Sequence, residues 1–117
     1  MASGKIDNYM SVEDVTGYTV KSAWSHDITV KRTGRIIDIN IIYECGANPL
    51  AALNQIISGL PKPSENKFFP CGEWNSSGIL QAQPDILTLG TDGNLITQLP
   101  LPFRSVIRGC VSYITTD

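Results

Sequence analysis

The sequence is poor in the groups that most enzyme chemistry needs. It holds one histidine, three cysteines and nine lysines and arginines in 117 residues. His26 is the sole histidine, so nucleophilic catalysis has one plausible neutral-pH base. It adjoins Asp27 on an alternating stretch, where neighbours point to opposite faces, and this works against a triad. No histidine or cysteine shows metal-ligand spacing, and the acidic residues are not spaced as a calcium loop. Neither a metal nor a cofactor is expected. The densest basic cluster, Lys31, Arg32 and Arg35, reads as a solvated strand end. With a net charge of −2, the chain lacks the clustered cations that nucleic acid requires. No run approaches the roughly 20 apolar residues of a membrane helix, so no membrane insertion is expected. Residues 1–10 are polar, without the apolar core of a secretory leader. Exit from a cell would then be by lysis or within an assembled particle.

The odd cysteine count leaves one thiol over in any single-chain pairing. Cys45, Cys71 and Cys110 read as reduced thiols, with at least Cys110 packed as a small hydrophobe in a strand. That suits folding in a reducing cytoplasm. A single Cys45–Cys71 bridge is the alternative.

What is present is a globular chain, 42% hydrophobic and 17% charged, of a length that makes one domain. Ser11 and Asp14 are spaced to cap a helical turn, but Thr16-Gly17 breaks the run behind them. Residues 1–17 read as an arm or linker that pairs with a neighbour or frays, and residues 18–117 as a β head domain. From Tyr18 the period becomes two. His26 to Arg32 alternates, Thr33-Gly34 turns, and Ile37, Ile39, Ile41 and Tyr43 then share one face. This is an antiparallel hairpin. Leu50-Ala51-Ala52-Leu53 is too short to sustain a helix. Ile56-Ile57 is a short strand, and Pro61, Pro63 and Pro70 keep the following connection extended. Strands are predicted over residues 68–74, 78–83, 86–89, 95–99 and 107–114, with Asp92-Gly93 as a tight turn. Seven or eight short strands point to an all-β fold, a small antiparallel β-barrel or β-sandwich.

Among these elements, paired carboxylates for glycoside hydrolysis would have to come from Glu73, Asp85 and Asp92. Asp92 is engaged as turn chemistry and Asp85 starts a strand, which leaves no catalytic residues to name. Sugar binding asks for less: an aromatic plane, and polar groups for the hydroxyls. Glu73, Trp74 and Asn75 offer both side by side in a glycine-bordered stretch, with a core tryptophan as the plain alternative. Trp24, followed by Ser25, His26 and Asp27, is a second such group, with Trp24 itself leaning to the core. Arg104, after Pro102-Phe103, is placed to reach a loop surface; its plain role is an ion pair.

From Trp24 to the C-terminus the order of features resembles the C-terminal head domain of phage receptor-binding proteins. These are lower-baseplate and tail-tip proteins of siphophages that infect Gram-positive hosts. The features are a Trp-led hairpin, SGLPKP over residues 58–63, and a Pro- and Trp-bearing segment over residues 70–74. DILTLGTDGNL over residues 85–95 and IRGCVSYIT over residues 107–115 complete the series. The resemblance implies a homotrimer of β heads, with sites near subunit boundaries, that binds host cell-wall polysaccharide without enzymatic activity. Trimerisation would also cover Ile36 and Ile42 on the mixed face of their strand. Other phage baseplate or tail proteins are the implied partners, and a virion assembled in the host cytoplasm is the implied location. The binding residues remain those read from side-chain chemistry: Trp74, Glu73, Asn75, His26, Asp27 and Arg104. A structural baseplate domain that binds no sugar is the second reading. A carbohydrate-binding module or depolymerase accessory domain is the third.

Overall fold

Alternation of side-chain type decides the longest strands. The computed structural model describes residues 11–21, 23, 25–46, 50–51, 53–82 and 85–117. Among them are nine strands and no helix. They are β1 (Val12–Asp14), β2 (Thr19–Val20), β3 (Ser25–Thr33), β4 (Ile36–Glu44) and β5 (Gln55–Ser58), followed by β6 (Lys67–Trp74), β7 (Asp85–Leu89), β8 (Leu95–Thr97) and β9 (Val106–Ile114). In β4, Ile37, Ile39, Ile41 and Tyr43 are buried, while Ile36, Asp38, Asn40 and Ile42 face out. β3 pairs with β4 along its whole length through a two-residue loop, Gly34-Arg35, the shortest connection that a hairpin admits.

All nine strands join one antiparallel sheet in the order β1-β3-β4-β9-β6-β7-β8-β5-β2, curled into a half-barrel. The expected all-β fold is therefore the observed one, with a single curled sheet instead of two stacked ones. β1 and β2 hold opposite edges, yet only residues 15–18 separate them. The chain thus draws the two edges toward each other. The Val15 amide extends the β1–β3 ladder by donating to the Val30 carbonyl (2.9 Å), and across the seam the Tyr18 hydroxyl donates to the Ile28 carbonyl (3.2 Å).

β6 ties the two halves together. Its first residues pair with β7, while Gly72, Glu73 and Trp74 pair with β9. The ladder to β9 starts two residues after Pro70, which has no N–H to donate. The core lies on the concave side, where Ile37, Ile39, Ile41 and Tyr43 meet Leu87, Leu89, Ile107, Val111 and Tyr113. Each such side chain contributes about 1.5–3 kcal/mol by leaving water. Residues 61–63 are pinned beneath the C-terminus. The Tyr113 hydroxyl donates to the Pro61 carbonyl (2.7 Å), and the Lys62 carbonyl accepts from the Thr115 hydroxyl (2.9 Å) and the Thr116 amide (2.8 Å).

Two expectations need correction, and one is sharpened. Within the arm expected over residues 1–17, Val12–Asp14 forms β1 and pairs with β3. The strand predicted over residues 78–83 is absent from its described part. There the Asn75 side chain accepts the amides of Ser77 (2.9 Å) and Ile79 (3.0 Å), closing a turn that brings Leu80 back onto Trp74 as a lone bridge. Cys110, expected to be buried, is exposed, because it has the outward parity of β9 and faces Asn40, whose Oδ1 accepts its thiol (2.9 Å). All three cysteines are free thiols. Trp24 lies outside the described residues.

Candidate functional site

Strand register turns residues distant in sequence into rows that cross the convex face. Asp27 stands opposite Ile42, Ile42 opposite Arg108, and Arg108 opposite Gly72, one continuous row over β3, β4, β9 and β6. The next row holds Ser25, Glu44, Val106 and Trp74. On the other side run Thr29, Asn40 and Cys110, then Lys31, Asp38 and Ser112. Outward parity is the common cause: on β4 and β9 these positions alternate with buried residues, and on β3 Thr29 and Lys31 flank buried Val30.

Trp74 does not stand in its own row. A Cβ on Gly72 would lie 2.8 Å from Cζ3 and 2.9 Å from Cη2 of the indole. The ring therefore lies back over Gly72, and only a residue without a side chain leaves space for it. Opposite Gly72, the Arg108 guanidinium is 5.4 Å from the indole centroid, within the range of a cation–π contact.

Two grooves flank this contact, and Arg108 lines both. One, of about 460 Å³, is bounded by Asp27, Thr29, Asn40, Ile42, Arg108 and Cys110. The other, of about 360 Å³, is bounded by Glu44, Trp74, Asn75, Ser76, Arg104 and Arg108. Arg104 reaches the second from the turn before β9, with its Nε 3.3 Å from Glu44 Oε2. Its φ of 55° is left-handed, which costs a non-glycine residue about 1 kcal/mol.

Of the six residues singled out for sugar binding, the structure brings Trp74, Asn75 and Arg104 to one groove and Asp27 to the groove beside it. It does not bring His26 or Glu73. His26 has the opposite parity to Asp27 and lines a separate cleft with Thr16, Tyr18 and Val20. Glu73 points inward from β6 and is 8% exposed. Burial pushes its carboxyl above the usual carboxylate range, and the nearby Asp85 adds to the shift. Asp85 is wholly buried. Its Oδ1 accepts the amides of Ile86 (2.7 Å) and Leu99 (3.0 Å), while its Oδ2 and the Thr97 hydroxyl have no partner among the described residues. A glycosidase pair needs both carboxyls at the scissile bond, and Asp85 presents no surface to a substrate. Asp92 accepts the Asn94 amide (3.1 Å), as its turn requires.

Arg108, Ile42, Asn40 and Glu44 also line these grooves, and only Arg108 lies in a sequence motif, IRGCVSYIT, which marks a strand and not a binding residue. The signal available for them was parity alone: each alternates with a core residue on β4 or β9. Which of them meet depends on register between strands about 65 residues apart in sequence, and no local pattern encodes that. Among the described residues, no three His, Cys, Asp or Glu side chains are disposed to hold a metal ion. No protein-family model matches the chain, and no curated protein sequence matches it.

Proposed function

We propose that the chain is a non-enzymatic receptor-binding head that docks a phage to a saccharide on its host's surface. The observation that carries this reading is the Trp74 indole laid over Gly72, with Arg108, Asn75 and Arg104 around it. A sugar presents an apolar face to an aromatic plane and hydroxyls to amide and guanidinium groups, and this groove offers both kinds of partner. The order of sequence features from Trp24 onward supports the phage assignment. Host wall polysaccharide, sister copies in a homotrimer and other baseplate proteins are the partners under this reading, and the virion is its place of work.

The homotrimer draws support from a second row. Val12 faces Thr33, Thr33 faces Ile36, and Ile36 faces Ile114. Val12 is 61%, Ile36 48% and Ile114 64% exposed, so apolar side chains meet solvent on three of the four strands of this row, with Thr33 between the first two. The same row favours the second reading, a structural baseplate domain that uses this face to hold a neighbour and binds no sugar.

Light scattering on the purified chain, with labelled protein incubated on Gram-positive cells, separates the readings. A receptor head gives three times the chain mass of 12.7 kDa and decorates cells. Trp74→Ala removes the decoration while circular dichroism stays unchanged. A trimer that decorates no cells supports the structural reading, and a monomer overturns the trimeric head.

A further inference from the structure

Each polar row of the convex face except one satisfies itself. Cys110 donates to Asn40 (2.9 Å), Ser112 donates to Asp38 (2.7 Å), and Lys31 pairs with Asp14. Glu44 pairs with Arg104 (3.3 Å). In the remaining row the apolar Ile42 stands between Asp27 and Arg108 and keeps their charges apart. Neither forms an ion pair or a side-chain hydrogen bond among the described residues; Arg108 has only the indole face beneath it. An acceptor and a set of donors are thus left open at two points of one line, with Ile42, 38% exposed, between them.

We infer that this row seats a linear oligosaccharide laid across the strands, at least three sugar units long, from the Trp74 indole to Asp27. The inference rests on the saccharide reading above and names the form of the ligand. Gly72 to Asp27 is three strand spacings, or about 14 Å at ~4.8 Å each, and one pyranose ring is about as wide as one spacing. The first unit packs beside Arg108, against the part of the Trp74 ring that lines the groove, where Asn75 and Arg104 reach its hydroxyls. The second lies at Arg108, the residue that both grooves share. The third passes over Ile42 to the carboxylate of Asp27, with Thr29 and Asn40 at its side. A terminal monosaccharide would use the Trp74 groove and leave Asp27 idle.

The test uses wall polysaccharide from a Gram-positive strain that the protein decorates, cut by mild acid and sized into oligomers of one to eight sugars. Affinity is measured by calorimetry against wild-type protein, Asp27→Ala and Trp74→Ala. Wild-type affinity is expected to climb up to three or four units and then level off. Asp27 is exposed, so its substitution leaves folding intact. Asp27→Ala is expected to lose about tenfold on long oligomers, the worth of one or two hydrogen bonds, and nothing on one or two units. Trp74→Ala loses binding at every length. A monosaccharide that binds as tightly as the octamer, or an Asp27→Ala variant that keeps full affinity for long oligomers, overturns the inference and leaves the receptor reading standing. Failure to decorate any cell or bind any oligomer overturns the receptor reading, and the inference with it.

Discussion

The Arg108 guanidinium stands 5.4 Å from the centroid of the Trp74 indole, on the strand next to it. The two residues are 34 positions apart in the sequence, and the antiparallel pairing of β6 with β9 brings them together. Arg108 is directly opposite Gly72, not Trp74. The contact therefore exists only because the indole folds back over the glycine.

Gly72 is accordingly the residue that sets the shape of the groove. In a Gly72→Val variant the new Cβ would lie 2.8 Å from the indole, closer than carbon atoms pack. The ring is half-buried at the convex surface and can swing outward, so the fold is expected to survive. Tryptophan emission should shift, and binding to wall polysaccharide should fall at least tenfold. An unchanged affinity, with the emission shift present, would show that the ring's position is irrelevant to binding.

Glu73 gives a pH signature. Its carboxyl is held above the usual carboxylate range, by burial first and by Asp85 second. The folded state therefore keeps a proton that the unfolded state has already released. Stability is expected to fall as pH rises through the interval from the ordinary carboxylate value to the raised one. Glu73→Gln removes the charge that burial penalises. It should raise stability at neutral pH and flatten the pH dependence in that interval. Urea midpoints at several pH values for both proteins check this. A variant less stable than wild type at neutral pH would mean that the Glu73 carboxylate is paired in solution.

Thiol chemistry tests the parity of two strands. Cys45 and Cys71 are buried, and desolvation, aided by Asp85 and Glu73, pushes the Cys71 thiol up to about 12. Cys110 is exposed on β9. Since the thiolate is the reactive form, a disulfide reagent near pH 8 should modify one cysteine in the native protein and three after denaturation. Mass mapping should place the native label on Cys110. A native label on Cys71 would put β6 out of register.

The contrast between these residues explains what the sequence made legible. Ile37, Ile39, Ile41 and Tyr43 announced β4 and its buried face, because alternation is local and the hydrophobic effect enforces it. The same alternation separated His26 from Asp27. Residue type alone points Cys110 inward, but its parity on β9 points it outward, and parity decides. Glu73 misled for a related reason. Beside Trp74 and Asn75 in sequence it looked like part of one polar cluster, but adjacent strand residues face opposite ways. The groove was thus half legible. Trp74, Asn75 and Arg104 converge, whereas Arg108 and Ile42 enter through pairings that only the folded sheet defines.

Two glycines in turns carry the last prediction, because they share a backbone state and differ in surroundings. Gly78 has φ +79° with nothing within 4 Å of a new Cβ, while Gly93 has φ +83° with the Leu60 carbonyl oxygen 2.4 Å away. Leu60 cannot retreat easily, since its own amide donates to the Gly93 carbonyl (3.1 Å) and its side chain is buried. Gly78→Ala should cost only the left-handed conformation, about 1 kcal/mol. Gly93→Ala should cost that plus the displacement of backbone in a packed core, about 3 kcal/mol together. Chemical denaturation of both variants measures the difference directly. Equal losses would mean that the turn after β7 is free to move away from Leu60, and that the 58–63 segment is held by its C-terminal contacts alone.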